Sequence, residues 1–81
     1  MNDAMDQRLR SVFATLFRVE AGELTDNTRR GALPGWDSLG HLELVVALEN
    51  EFGMTLSPDE ALEIETFADA RNVVEREVAG R

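Results

Sequence analysis

Ser38 is the residue of this 81-residue sequence whose position most invites chemistry. It stands in Gly35-Trp36-Asp37-Ser38-Leu39-Gly40-His41-Leu42, where a glycine-bearing loop gives way to an apolar pattern of helical period. The first N–H groups of a helix have no intrahelical partner, and the helix dipole favours an anion there. A phosphoester on Ser38 would have its charge tolerated at such a place. The same place suits a capping residue, so Asp37 or Ser38 can equally serve as the N-cap. Ser38 and His41, three apart on a helix, suggest a second chemistry, a nucleophile with its base. Trp36-x-Ser38-x-Gly40 half-matches a nucleophile elbow, with Trp where the first glycine belongs. A chain this short has no room for the sheet behind such an elbow, and no third residue orients the histidine. His41 is therefore expected as a partly buried structural residue beside Leu44. The sequence has no cysteine and one histidine, which excludes thiolate and His-rich metal sites, disulfides and cysteine nucleophiles. It also lacks the D-x-[DN]-x-[DN]-G run of a calcium loop.

The elements that must position Ser38 are helical. Met5, Leu9, Val12, Phe13 and Leu16 share one stripe, which predicts a helix over about residues 3–20 with Gly22 as its stop. Residues 23–36 carry Asp26-Asn27, Gly31, Pro34 and Gly35 and read as a long ordered loop. Leu24, Leu33 and Trp36 are its apolar pins, with Trp36 expected partly buried. A second helix runs from about Ser38 to Phe52 and stops at Gly53. Ser57-Pro58-Asp59-Glu60 is a capping box with proline at the first helical position, and it opens a short third helix. Thr66 and Asp69 stand in the same relation at the start of a fourth, whose buried stripe is Phe67, Ala70, Val74 and Val78. No stretch alternates with period two for long enough to make a strand. The expectation is one all-α domain over residues 1–81, a four-helix bundle of three longer helices and one short one.

The second helix has two apolar faces. Leu44, Val45, Leu48 and Phe52 cluster on one side with His41, at about 100° per residue. Leu39, Leu42 and Val46 cluster on another. One stripe suffices to face the core, so the second either lies under the long loop or is an exposed anchor. The expected division puts Leu39 under the loop and Leu42 and Val46 outside.

Charge bounds the partners. Lys+Arg number 8 and Asp+Glu 16, for a net charge of −8. Residues 31–70 hold Asp37, Glu43, Glu49, Glu51, Asp59, Glu60, Glu63, Glu65 and Asp69 and no basic residue. That balance argues against nucleic acid and anionic lipid. It fits either a solvated acidic face or a docking surface for basic proteins. No apolar run approaches the roughly 20 residues of a membrane span. Asp3 and Asp6, without a basic-then-apolar order, do not make a signal peptide. A monomeric, free-standing cytoplasmic module is expected, acted on by other proteins. An acidic helical adaptor without a prosthetic group would explain the charge and the second stripe, but leaves Asp37-Ser38-Leu39 a coincidence.

Asp37-Ser38-Leu39, followed by Leu42-Glu43-Leu44-Val45 and Ala47-Leu48-Glu49, resembles the acyl carrier protein signature. The resemblance covers nearly the whole chain, from Val12 through Val74. It implies that Ser38 carries a covalent 4′-phosphopantetheine arm from coenzyme A, with Asp37 and Leu39 beside it. It implies that Glu43 and Glu49 face the basic surfaces of partner enzymes, and that Val46, and Ile64 on the third helix near the arm, make apolar partner contacts; Leu42 joins them as the exposed neighbour of Val46 on the second stripe. The implied partners are a phosphopantetheinyl transferase, an acyltransferase or other acyl-loading enzyme, and ketosynthase-type enzymes. The protein would then be a carrier of thioesters and not an enzyme. Fatty-acid carriers generally have a small residue where Trp36 stands and a polar or acidic one at Gly40. The Trp-Asp-Ser-Leu-Gly-His order looks more like carriers of polyketide or related specialised biosynthesis. A peptidyl or aminoacyl carrier is the alternative within the same chemistry.

Overall fold

The computed structural model describes residues 3–80. Its helices are α1 (Asp3–Phe17), α2 (Ser38–Phe52), α3 (Pro58–Glu63) and α4 (Phe67–Ala79), with a 3₁₀ turn at Ala21–Glu23 between α1 and α2. This is the expected bundle of three longer helices and a short third one. Among the described residues the only extended pairing is an isolated antiparallel bridge between Arg29 and Thr66.

The helix ends follow local chemistry, with one exception. Asp37 accepts a hydrogen bond from the Gly40 N–H at 2.9 Å and is the N-cap of α2. Gly53 ends that helix in the left-handed conformation, φ 61°. Ser57 with Glu60 and Thr66 with Asp69 both form reciprocal capping boxes. The exception is α1, which stops at Phe17, short of the expected residue 20. Arg18 rather than Gly22 takes the left-handed turn, φ 57°. The Val19 N–H then reaches back to the Ala14 carbonyl at 3.2 Å, which satisfies one of the orphaned last carbonyls. Turning early lets Val19 pack against the core.

α1 supplies Leu9, Phe13 and Phe17 to the core, α2 supplies Leu44, Leu48 and Phe52, and α4 supplies Phe67, Ala70, Val73 and Val74. Val73 joins the expected α4 stripe, and Val78 is only half-buried. Trp36 is 1% exposed, so the loop's tryptophan is a full core residue and not a partly buried one. Its ring meets Phe13 edge-on at 5.2 Å and stacks on Phe17 at 5.8 Å between centroids.

The long connection is stapled by backbone as well as by apolar pins. Arg30 N–H donates to the Glu65 carbonyl and Phe67 N–H to the Thr28 carbonyl, both at 2.8 Å. The Arg10 guanidinium donates to the carbonyls of Ala21 and Leu24, at 3.0 and 2.8 Å. Arg71 holds Asp26 at 2.7 Å. The loop thereby spends its polar groups on α1 and on the start of α4.

Where the loop meets α2, two glycines allow the approach. Gly35 has φ 89°, and a Cβ on Gly40 would fall 1.9 Å from the Gly35 carbonyl oxygen. Only backbone fits there. The loop therefore packs on the Gly40 and His41 side of α2, and Leu39 is left exposed rather than covered.

Candidate functional site

Ser38 is the first residue of α2 and is exposed. Because Asp37 takes the cap, the Ser38 hydroxyl has no hydrogen-bond partner among the described residues. The two capping alternatives open in the sequence thus resolve in favour of Asp37. An uncommitted, solvent-facing hydroxyl beside unpaired helix-terminal N–H groups is a place where another protein can install a phosphoester.

His41 cannot act as its base. Nδ1 accepts from the Trp36 indole N–H at 3.1 Å, and Nε2 lies 2.8 Å from the Ala61 carbonyl. An accepting Nδ1 puts the proton on Nε2, which donates to Ala61. Both ring nitrogens are spent on joining the loop, α2 and α3. The ring is buried and parallel to Trp36 at 6.3 Å, so it is more enclosed than the sequence suggested.

Comparison with known proteins gives the family. A family model described as a phosphopantetheine attachment site matches residues 7–73. An acyl carrier protein of Treponema pallidum subsp. pallidum is 39% identical over 77 residues, which is 94% of this chain and 97% of that protein. The acyl carrier protein of Treponema pallidum (strain Nichols) matches with the same identity and coverage. The chain belongs to the acyl carrier protein family. Such proteins are carriers and not catalysts, and the prosthetic group of the family is covalent 4′-phosphopantetheine. The family works with biosynthetic enzymes such as transferases and synthases. The free Ser38 hydroxyl fits that group.

The carrier's α2 shows the second apolar stripe in full. Leu39, Leu42 and Val46 are 66%, 65% and 55% exposed. Leu42, Glu43, Val46, Ala47 and Asn50 line one shallow, mostly apolar depression. Two expected partner residues are turned elsewhere. Ile64 is 0% exposed, because as the C-cap of α3 it points into the core. Its side chain offers a partner no surface in this arrangement. Leu62 is the exposed apolar residue of α3 instead, at 66%. Glu49 is half-buried, and its Oε2 accepts the Leu56 N–H at 2.8 Å, so it braces the α2–α3 link.

Most acids of residues 31–70 are likewise committed within the chain. Glu51 pairs with Arg8, Glu65 with Arg29 and Arg30, and Glu60 and Glu63 with Arg76. Asp37, Glu49 and Asp69 accept backbone N–H groups. Glu43 and Asp59 remain with no ion pair or hydrogen bond among the described residues. Of the acids expected to form either a solvated face or a docking surface, Glu43 is the one free of internal partners that also lies beside the exposed apolar stripe. The carboxyls whose ionisation is shifted belong to α1, the long loop, α3 and α4, and none to α2. The Arg10 guanidinium beside Asp6 holds its carboxyl below the usual range, and Arg71 does the same to Asp26. Glu60 and Glu77 share a hydrogen bond between α3 and α4, which lowers Glu60 and raises Glu77. Among the described residues no helix is long and apolar enough to cross a membrane.

Proposed function

We propose that Ser38 is the residue that carries the 4′-phosphopantetheine arm, and that the carrier serves polyketide or related specialised biosynthesis. The observation that carries the first part is the exposed Ser38 hydroxyl, left free because Asp37 caps α2. A transferase would have Ser38 Oγ, losing its proton, displace adenosine 3′,5′-bisphosphate from the diphosphate of coenzyme A to form the phosphodiester, and the arm's terminal thiol would supply the thioester chemistry that this cysteine-free chain lacks. Tethering raises the effective concentration of the acyl group at each partner's active site. The test is intact mass after incubation with coenzyme A, Mg²⁺ and a promiscuous phosphopantetheinyl transferase. Gain of one arm on the native chain is expected, and an unchanged mass would defeat the reading.

The second part is supported by Trp36 and Gly40, which take the places of a small and a polar residue in fatty-acid carriers. Here they act as a unit, with Gly40 admitting the loop and Trp36 bonding His41. Expression in a bacterium depleted of its own fatty-acid carrier is expected not to restore growth. Rescue at ordinary expression levels would assign the chain to housekeeping fatty-acid synthesis instead.

Partners would dock on Leu39, Leu42 and Val46 with Glu43 meeting a basic residue. Charge complementarity of this kind speeds encounter more than it strengthens the complex, which suits a carrier that must be released. Glu43→Arg should leave α2 formed, since arginine is a good helix former. It should slow transfer of the arm, with a smaller residual dependence on salt than the native protein. The control is Asp3→Arg in the first turn of α1, which changes net charge equally. Equal loss of rate in the two variants would mean that bulk charge alone steers encounter.

A further inference from the structure

We propose that Arg18 binds the phosphodiester linking the arm to Ser38, and that it holds the base of the arm in a groove between the end of α1 and the start of α2. The inference rests on Ser38 as the attachment site.

The groove, about 400 Å³, is lined by Phe17 and Arg18 at the end of α1, by Gly35 of the loop, and by Asp37, Leu39 and Gly40 at the start of α2. Asp37 and Leu39, the two chain neighbours of Ser38, line the groove while Ser38 itself does not, so a group bonded to Ser38 Oγ would turn toward Arg18 to enter it. The close approach of Gly35 to Gly40 brings the loop against α2 there.

Arg18 is singled out by two independent observations. Arg8, Arg10, Arg29, Arg30, Arg71 and Arg76 each hold a carboxylate within 4.0 Å. Arg18 holds none, and is the one described arginine left uncommitted in a chain of net charge −8. It also adopts φ 57°, the one described residue other than glycine with positive φ. Left-handed backbone at a helix end is where glycine belongs by default. A strained side-chain-bearing residue in that place points to a use for the side chain.

The electrostatics supply the use. A phosphodiester on Ser38 adds a negative charge beside Asp37, with Glu43 lining the same groove. Asp37 is already engaged with the Gly40 N–H. Arg18 is the cation on hand to offset the repulsion, and a guanidinium matches two phosphate oxygens at once where an ammonium acts as a point charge. Phe17 and Leu39 offer apolar surface to the arm's geminal methyl groups on the same side.

The test is nuclear magnetic resonance of ¹⁵N-labelled protein before and after loading, with the arm verified by intact mass. Loading is expected to shift the Arg18 Nε–Hε signal and the amides of Phe17, Gly35 and Leu39. Nuclear Overhauser contacts are expected from the arm's methyl groups to Phe17 and Leu39. In Arg18→Gln those contacts should vanish while the arm is still attached, and Arg18→Lys should restore them in part. If the armed native protein shows an unmoved Arg18 signal, or if Arg18→Gln keeps the same shifts and contacts, the inference is overturned alone. If no mass is gained at Ser38, the attachment reading falls and takes this one with it.

Discussion

Ser38→Ala is expected to gain no phosphopantetheine at all while melting within a degree or two of the native chain. The two halves of this result come from one arrangement. Asp37 holds the Gly40 N–H, and the Ser38 hydroxyl bonds to nothing among the described residues. Loss of a capping side chain costs about 1 kcal/mol, but here the cap is the neighbouring residue and stays in place. Alanine is moreover the best helix former at a helical position. The hydroxyl is therefore expected to matter for loading and not for the fold. Intact mass after incubation with coenzyme A and transferase reads the first half, and thermal unfolding followed by circular dichroism reads the second. Arm gained by the alanine variant would place the attachment elsewhere. A large drop in melting temperature with loading lost would leave Ser38 a structural residue, contrary to the free hydroxyl seen here.

The elements were legible wherever their cause is local. Ser57 with Glu60, and Thr66 with Asp69, are bonded within three residues, so the starts of α3 and α4 stand in the sequence itself. Gly53 ends α2 for an equally local reason, its left-handed conformation. The end of α1 was not legible, because the left-handed residue is an arginine and the nearby glycine does not take that role. The order of the long loop was only half legible. Its apolar pins could be named, but its backbone bonds run to residues 65–68, nearly forty positions away, and leave no periodic trace.

The site divides along the same line. The exposed stripe of Leu39, Leu42 and Val46 follows from helical periodicity, since a second apolar face on one helix of a small bundle has nowhere to be buried. Leu39 was not legible as exposed, because its exposure depends on where the loop docks, and that is set by the missing side chains of Gly35 and Gly40. Ile64 was not legible as buried, nor Leu62 as exposed, because a six-residue helix gives too little period to separate its faces. Glu49 and the arginine-paired acids could not be told from free ones, since their partners lie far along the chain. Charge read from composition overstates a docking face whenever the fold supplies its own counter-ions.

Trp36→Ala is expected to destabilise the fold by about 3–5 kcal/mol, the range for a fully buried aromatic, rather than the ~1–3 kcal/mol that a partly covered loop tryptophan would cost. Two losses combine. The indole fills the space between Phe13 and Phe17, whose rings lie 5.2 and 5.8 Å from it. Removing it also leaves His41 Nδ1 as a buried acceptor with no donor, and an unsatisfied group of that kind costs about 1–3 kcal/mol by itself. A domain of 81 residues has a total stability of about 4–12 kcal/mol, so the variant should be substantially unfolded at moderate temperature. Trp36→Phe separates the two losses, since it keeps most of the volume and removes only the indole N–H. It should fall between the native protein and the alanine variant in urea unfolding. Trp36 is the single tryptophan, so its emission reports on this site alone and should be blue-shifted in the folded state. A solvent-like emission maximum in the native protein, or an unchanged urea midpoint for Trp36→Ala, would refute the burial. The alanine variant should also load poorly, because Trp36 carries the loop that presents Asp37 and hence the start of α2 to the transferase. If loading recovers when Trp36→Ala is cooled or given a stabilising osmolyte, the defect lies in the folded population, as a tryptophan that acts through the core and not through the transferase requires.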